Sequence, residues 1–243
     1  MRGGSAPQNG PLGSAGDLGL HRRYGRSGGF CGPEAPRTRW KLDIREADCF
    51  PGPMDPKGWH SRGYLPHLDA PGELQGLTFR LSDSVPKKVI ERWQRELSGQ
   101  PEDLLRMELA KRIARYEDAG YGECLLRDRD HAQAIQNCLL HADGRRYRLI
   151  EWCIMPNHVH VLIETLEGVR LGDIVRAWKT YGAKVINQRL GRRGSIWEED
   201  YYDRYIRDND HLLDSRLYIQ RNPVKAGLCD KPEDWEWGSA AMG

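Results

Sequence analysis

A short apolar run near the middle of the chain, residues 155–163 (MPNHVHVLI), contains two histidines separated by one residue. The β-branched residues around them favour a strand. Because successive side chains of a strand point to opposite faces, His158 and His160 share one face while Val159 and Val161 share the other. Two imidazoles side by side on a strand can bind one metal ion. The pattern also fits two half-exposed histidines on a sheet face.

Composition limits the class of protein. The chain has 243 residues, of which 30% are charged and 39% hydrophobic, and no apolar run is long enough to span a bilayer. No apolar stretch follows Arg2, so we do not expect a secretory signal. The six cysteines are scattered without a C-x-x-C pair, which argues against a zinc ribbon and a disulfide scaffold. We therefore expect a reduced, cytoplasmic protein that does not bind membranes.

The N-terminal segment differs in composition from the rest. Residues 1–57 contain eleven glycines and seven prolines and lack apolar periodicity, which predicts a disordered tail. We expect one folded domain over residues 58–243. Because the composition changes at Met54, we hypothesise that translation starts there, and a native N-terminal peptide that began before Met54 would contradict this.

Hydrophobic periodicity predicts the order strand, helices, strand, strand, helix, short strand, helix. Ser84 is the expected cap of the first helix, Pro86 lies in its first turn, and Pro223 is expected to end the last helix. Two crossovers around an antiparallel core indicate an α+β, ferredoxin-like sandwich with inserted helices. The predicted segments are strands at 77–81, 146–154, 159–163 and 195–197, and helices following 84–86 and at 104–116, 130–141, 171–190 and 210–221.

The last predicted helix carries a second candidate group. Tyr218 and Asn222 are four residues apart and therefore lie on one helical face. The Asn222 amide oxygen could complete the shell of a metal held by the histidines. An activated Tyr218 hydroxyl could attack phosphorus and form a covalent intermediate. The alternative is that Tyr218 is simply a core residue.

Several segments in the same order resemble the single-tyrosine transposases with an HUH motif, in which U is a bulky apolar residue, here Val159. The likeness is to the type associated with repetitive extragenic palindromes (REP) and covers roughly residues 58–240. The segments that carry it are 155–160 (MPNHVH), 62–67 (RGYLPH), 78–81 (TFRL), 196–197 (IW), 203–207 (DRYIR), 218–219 (YI) and 222–228 (NPVKAGL).

The resemblance implies metal-dependent cleavage and transfer of single-stranded DNA. His158, His160 and Asn222 would hold Mg²⁺ or Mn²⁺, and Tyr218 would attack the scissile phosphate to give a 5′-phosphotyrosine and a free 3′-OH. Attack by another 3′-OH would then rejoin the strands without ATP. Because metal binding needs neutral imidazoles, we expect activity to fall below about pH 6. The C-terminal helix would carry the tyrosine, and the enzyme would act as a monomer or a homodimer.

The resemblance also implies a partner, single-stranded DNA folded into hairpins. Residues 170–193 contain seven basic residues and one acid, so Lys179 and Lys184 are candidate backbone contacts and Trp178 and Tyr181 candidate stacking faces. The alternatives are a solvated helix face and, for Trp178, a core position. Further candidates are Arg204 and Arg207 as phosphate contacts, and residues 61–67, with His67, as readers of flanking bases.

Two other functions remain open. A non-catalytic binder of structured single-stranded DNA would have the same fold and a regulatory role, although the presence of Tyr218, His158 and His160 argues against it. An RNA-binding sheet of the RRM kind ranks last, because the aromatic strand motif of that module is missing.

Overall fold

The computed structural model describes residues 57–61 and 66–242. Except for Lys57, the predicted tail and Met54 lie outside the described residues. So does most of the segment 61–67, although the His67 side chain is described.

A four-stranded antiparallel sheet forms the centre of the described fold. The strand order is β4-β5-β3-β6. This is the order of a ferredoxin-like sheet, so the predicted α+β class is confirmed. A separate antiparallel hairpin, β1-β2, precedes it and was not predicted. The strands are β1 (Gly58–Ser61), β2 (Pro66–Asp69), β3 (Leu74–Arg80), β4 (Tyr147–Ile154), β5 (His158–Thr165) and β6 (Tyr202–Tyr205).

Three helices are inserted between β3 and β4, one lies between β5 and β6, and one follows the sheet. The first two inserted helices pack on each other through an apolar cluster that includes Val85, Ile90, Leu97 and Leu109. In the described part of the chain, no helix has the length and apolar character needed to cross a membrane. The helices are α1 (Lys87–Leu97), α2 (Glu102–Asp118), α3 (Arg129–His141), α4 (Leu171–Leu190) and α5 (Asn209–Lys225).

The two faces of the sheet are covered by different helices. On one face, Phe79 stacks on Trp178 of α4, with 6.0 Å between ring centroids, and α4 in turn packs on α3. On the other face, Leu162 of β5 packs with Ile219 of α5. Because His158 and His160 alternate with Val159 along β5, they lie on the face that α5 covers.

Three local predictions were wrong. Ser84 does not cap α1, because its hydroxyl donates to the Leu81 carbonyl instead. Residues 195–197 form only an isolated bridge between Leu81 and Trp197, and the fourth strand of the sheet is β6. Pro223 does not end the last helix, which ends at Lys225 and is followed two residues later by Gly227, whose φ of 69° suits glycine.

Gly182 marks the closest approach of α4 to its neighbours. A Cβ added there would lie 2.5 Å from Ile135 Cδ1 of α3 and 3.2 Å from a ring carbon of Trp197. We predict that Gly182→Ala destabilises the fold by about 1–3 kcal/mol through overpacking, although alanine favours a helix by about 1 kcal/mol. Urea unfolding measures the change.

Lys184→Ala on the same helix is the matched control, because Lys184 is exposed and the substitution should change stability by less than about 0.5 kcal/mol. An unchanged or increased unfolding free energy for Gly182→Ala would contradict this packing.

Candidate functional site

His158 and His160 lie in a central strand and are buried, with 0% and 4% of their surface exposed. Their Nε2 atoms are 2.9 Å apart. Two ligand atoms about 2.1 Å from an ion and at right angles are separated by about 3.0 Å, as adjacent positions of an octahedral shell require. The pair is therefore spaced like two neighbouring ligands of one cation, and it is not half-exposed on the sheet surface.

Hydrogen bonds orient both rings. Asn157 donates its amide N–H groups to the carbonyls of Glu117 and Tyr121, at 3.2 and 2.9 Å. Its Oδ1 therefore accepts from His158 Nδ1, 2.7 Å away. His160 Nδ1 lies 2.8 Å from the Thr78 hydroxyl. With a proton on each Nδ1, both Nε2 atoms present lone pairs to the same point, an arrangement that a cation stabilises.

Burial keeps both imidazoles neutral. It lowers the pKa of His160 to about 3, and the ammonium of Lys225 acts in the same direction. The pKa of His158 is well below its usual value, because of burial, His160 and Lys225. The neutral form that a metal needs therefore persists well below pH 6. The expected fall in activity below about pH 6 rests on the ordinary pKa of imidazole, and the lowered pKa values argue against protonation of these two rings as its cause.

Helix α5 places Tyr218 and Asn222 beside the histidines. The rings of Tyr218 and His160 meet edge to face, with centroids 5.4 Å apart. Asn222 Nδ2 lies 3.0 Å from His160 Nε2. Asn222 is buried, whereas Tyr218 is 42% exposed. Burial of the phenol raises its pKa to about 12, and Asp118 acts in the same direction. The proposed groups thus converge, and Tyr218 faces solvent as well as the histidines.

Asp118, at the end of α2, joins this group although no local sequence pattern indicates it. One ligand atom from each of Asp118, His158 and His160 lies within 4.8 Å of the others. Asp118 also pairs with Lys225, with 2.6 Å between Oδ2 and Nζ. Lys225 Nζ lies 5.8 Å from the centroid of the Tyr218 ring. An acidic residue forty positions before His158 could be linked to it only through the fold.

A largely buried network of one arginine and two carboxyl groups adjoins the site. Arg80 Nε lies 3.3 Å from the Glu117 carboxylate, and Arg80 Nη2 lies 3.5 Å from that of Glu198. Burial raises the pKa of Glu117 to about 8, although Arg80 opposes this shift. Arg80 is paired with His158 across β3 and β5, so this network supports the strand that carries the histidines.

A groove of about 1490 Å³ opens over the site. His160, Asp118 and Tyr218 line it, and so do the predicted phosphate contacts Arg204 and Arg207. Both arginines are exposed. The groove therefore brings two exposed arginines close to the histidine–tyrosine cluster, within a lining of mixed charge, and a nucleic-acid strand could lie along it.

The basic stretch 170–193 lies elsewhere. Helix α4 covers the sheet face opposite the histidines, and among the described residues that line the groove none belongs to this stretch. Several of its arginines pair with acids, as the Arg189–Asp130 and Arg192–Glu123 contacts show. The predicted backbone track therefore does not lead to the site.

The predicted DNA contacts within the basic stretch 170–193 divide into buried and exposed residues. Lys179 donates to the carbonyls of Glu198, Glu199 and Asp200 at 3.0, 3.1 and 3.0 Å, and burial lowers its pKa to about 8. Its ammonium holds a loop and has no donor left for a phosphate, which corrects its predicted role. Trp178 and Tyr181 are buried core residues, so neither offers a stacking face to DNA bases. Lys184 is exposed but does not line the groove.

His67 is a structural residue. It is fully buried, and its Nδ1 pairs with Asp203 of β6 while its Nε2 lies 3.0 Å from Asp200. Burial alone would lower its pKa, but the two carboxylates outweigh burial and raise the pKa to about 9. The ion pairs tie β2 to the strand that carries Arg204, so His67 is not placed to read bases.

The raised pKa of His67 predicts a stability change with pH. Because the folded protein holds this proton more tightly than the unfolded chain, the stabilisation is complete below about pH 6.5 and disappears as the pH rises through about 9. A shift of this size corresponds to at most about 3 kcal/mol. We predict that His67→Gln lowers the melting temperature at pH 6 and that the gap to the parent narrows by pH 9.5.

The difference in melting temperature between the two proteins reports on His67 alone, because Glu117 and Lys179 titrate in the same pH range in both. A gap that stays constant from pH 6 to pH 9.5 would show that the ring is not charged.

Comparisons with known proteins find a family that is similar to the part of the chain carrying this site. The model of the family described as "Transposase IS200 like" matches residues 124–222, a range that includes His158, His160, Tyr218 and Asn222. A Haemophilus influenzae protein named "Putative REP-associated tyrosine transposase" is 26% identical over 103 residues, which cover 38% of this chain and 58% of the relative. A second, uncharacterized protein of that species is 30% identical over 99 residues, which cover 32% and 54%.

A solved structure agrees in fold. A REP-associated tyrosine transposase bound to a REP hairpin superposes with a TM-score of 0.50 at 17% identity, covering 75% of this chain and 84% of that one. Residues 124–222 of this chain thus match the IS200-like transposase family, and the resemblance to the REP-associated tyrosine transposases is confirmed. The matches span little more than half the length of the two curated relatives.

Proposed function

We propose that this protein cleaves and transfers single-stranded hairpin DNA through a 5′-phosphotyrosine formed on Tyr218. The observation that carries the proposal is the convergence of Tyr218 on the paired imidazoles, with 5.4 Å between the rings of Tyr218 and His160. The family match supports a transposase, and the similar structure bound to a REP hairpin supports hairpin DNA as the partner.

The residues present fit a divalent cation, Mg²⁺ or Mn²⁺. His158 and His160 would hold it through Nε2. A half-turn of the Asn222 amide would place its oxygen where Nδ2 now lies, 3.0 Å from His160 Nε2. Within the described part of the chain, Asn222 Oδ1 is buried without a hydrogen-bond partner. A bound cation would polarise the scissile phosphate and stabilise the charge that develops in the transition state.

The chain's own groups perform the exchange. The Tyr218 oxygen attacks phosphorus, the bond from phosphorus to the 3′-oxygen breaks, and a 5′-phosphotyrosine and a 3′-OH result. The phenol proton is lost and the departing 3′-oxygen gains one, so the step is balanced. Because Tyr218 has a raised pKa of about 12, positive charge at the site must favour its phenolate. Attack by a 3′-OH reverses the step and joins strands.

DNA contacts are assigned to the groove. Arg204 and Arg207 line it next to Tyr218 and would bind backbone phosphates. Every proposed catalytic group comes from one chain, so the chemistry does not require a second copy. A monomer and a homodimer are both compatible with this arrangement.

The covalent step is tested with a hairpin oligonucleotide taken from DNA flanking the gene of this protein, incubated with Mg²⁺ or Mn²⁺. A label at the 3′ end should become attached to the protein, whereas a label at the 5′ end should appear on a shorter free strand. Tyr218→Phe should abolish the adduct while the affinity for the oligonucleotide stays within about threefold of the parent, because only the nucleophile is removed.

Tyr202→Phe is the matched control, because Tyr202 lines the same groove and its loss should leave the adduct intact. Tight binding by the parent without any adduct would instead support the alternative, a non-catalytic binder with a regulatory role. An adduct that persists in Tyr218→Phe would assign the nucleophile to another residue.

The assignment of the DNA contacts to the groove predicts which basic side chains bind DNA. Arg207→Ala should weaken hairpin binding and lower the slope of log affinity against log salt by about 1, because one phosphate contact is lost. Lys184→Ala, outside the groove, should change neither quantity. Fluorescence anisotropy between 50 and 200 mM salt measures both, and a larger effect for Lys184 would restore α4 as the DNA-binding surface.

A further inference from the structure

Asp118 is unusual among the carboxylates near the site. Its side chain is 12% exposed, and one oxygen, Oδ2, pairs with Lys225. In the described structure its other oxygen, Oδ1, is buried without a hydrogen-bond partner. A buried carboxylate oxygen without a partner carries a desolvation cost, so this atom is free to take a cation.

Its position relative to the histidines is determined by the fold. The Glu117 carbonyl, which begins the peptide bond to Asp118, accepts a hydrogen bond from Asn157, the residue before His158. The end of α2 is thus tied to the start of β5 by a single amide. This connection explains why the carboxylate and both Nε2 atoms lie within 4.8 Å of one another.

We propose that Asp118 is a further ligand of the divalent cation held by His158 and His160, and that Lys225 occupies its carboxylate when the cation is absent. This inference rests on the metal centre of the proposed function. Carboxylate oxygen is the donor that Mg²⁺ and Mn²⁺ prefer, so Asp118 would add a hard ligand to the two nitrogens. Lys225, 58% exposed and beside the Tyr218 ring, would then be released next to the nucleophile.

The competition predicts opposite effects for the two partners. Asp118→Asn should weaken Mn²⁺ binding at least tenfold, because a charged ligand is lost. Lys225→Met should strengthen it about threefold or more, because the carboxylate no longer has a competing partner. An ion pair with only a structural role predicts instead that both substitutions act in the same direction, through a shared loss of stability.

Isothermal titration of the full chain with Mn²⁺ alone measures the affinities, and thermal melting verifies that each variant is folded. The double variant is decisive, because Lys225→Met should strengthen Mn²⁺ binding less once Asp118 is Asn. A gain of the same size in both backgrounds would show that the ammonium acts only through its charge on the histidine site, and it would overturn the proposal. Asp214→Asn removes a charge from the same groove and should leave affinity within about twofold.

Co²⁺ absorption gives a readout independent of affinity, because the d–d bands change when a carboxylate leaves the shell. Bands that are identical in the parent and Asp118→Asn would overturn the assignment of Asp118. His158→Ala separates the two levels of inference. If it abolishes Mn²⁺ binding while Asp118→Asn does not weaken it, only Asp118 is wrong, and if it leaves binding unchanged, the proposed metal centre fails as well.

Discussion

The side-chain amide of Asn157 is the interaction on which the arrangement of the site depends. Its nitrogen donates to two carbonyls, one on α2 and one in the turn after it, and its oxygen accepts from His158. These bonds orient the amide, set the proton position on His158, and anchor the inserted helix to the central strand. Because two of these contacts, those to Glu117 and His158, are buried, the loss of the amide would leave their polar groups unsatisfied at a cost of about 1–3 kcal/mol each.

The sheet and most helices were predictable from the sequence because their patterns are local. Alternation along β5 determined which face the histidines share, and helix α4 was predicted with its observed bounds. The pairing of β6 with β3 was not predictable, because four residues of alternating exposure carry a weak signal. The prediction that Pro223 ends the last helix was also wrong, because the packing of α5 against β4 and β5 outweighs the preference of proline to end a helix.

The candidate site shows the same division. Tyr218, Asn222 and the histidines follow short spacing rules, and the structure brings them together. Asp118 has no such rule, because it approaches His158 only through a tertiary contact of α2. Lys179 shows the converse, because a lysine within a basic run looks like a phosphate contact although its ammonium is enclosed by three carbonyls. Sequence spacing therefore reports local geometry well and solvent access poorly.

The buried polar atoms around the histidines share one feature that links stability to function. Across the residues that the structure describes, Asn222 Oδ1 and Asp118 Oδ1 are buried without hydrogen-bond partners, and with a proton on each Nδ1 the two Nε2 atoms meet lone pair to lone pair. Each such group destabilises the folded state relative to a satisfied one. A core selected only for stability of the folded state would have apolar groups at these positions. Their presence around one pair of histidines is instead expected of a site whose stability is completed by a ligand, since whatever binds the folded state alone stabilises it.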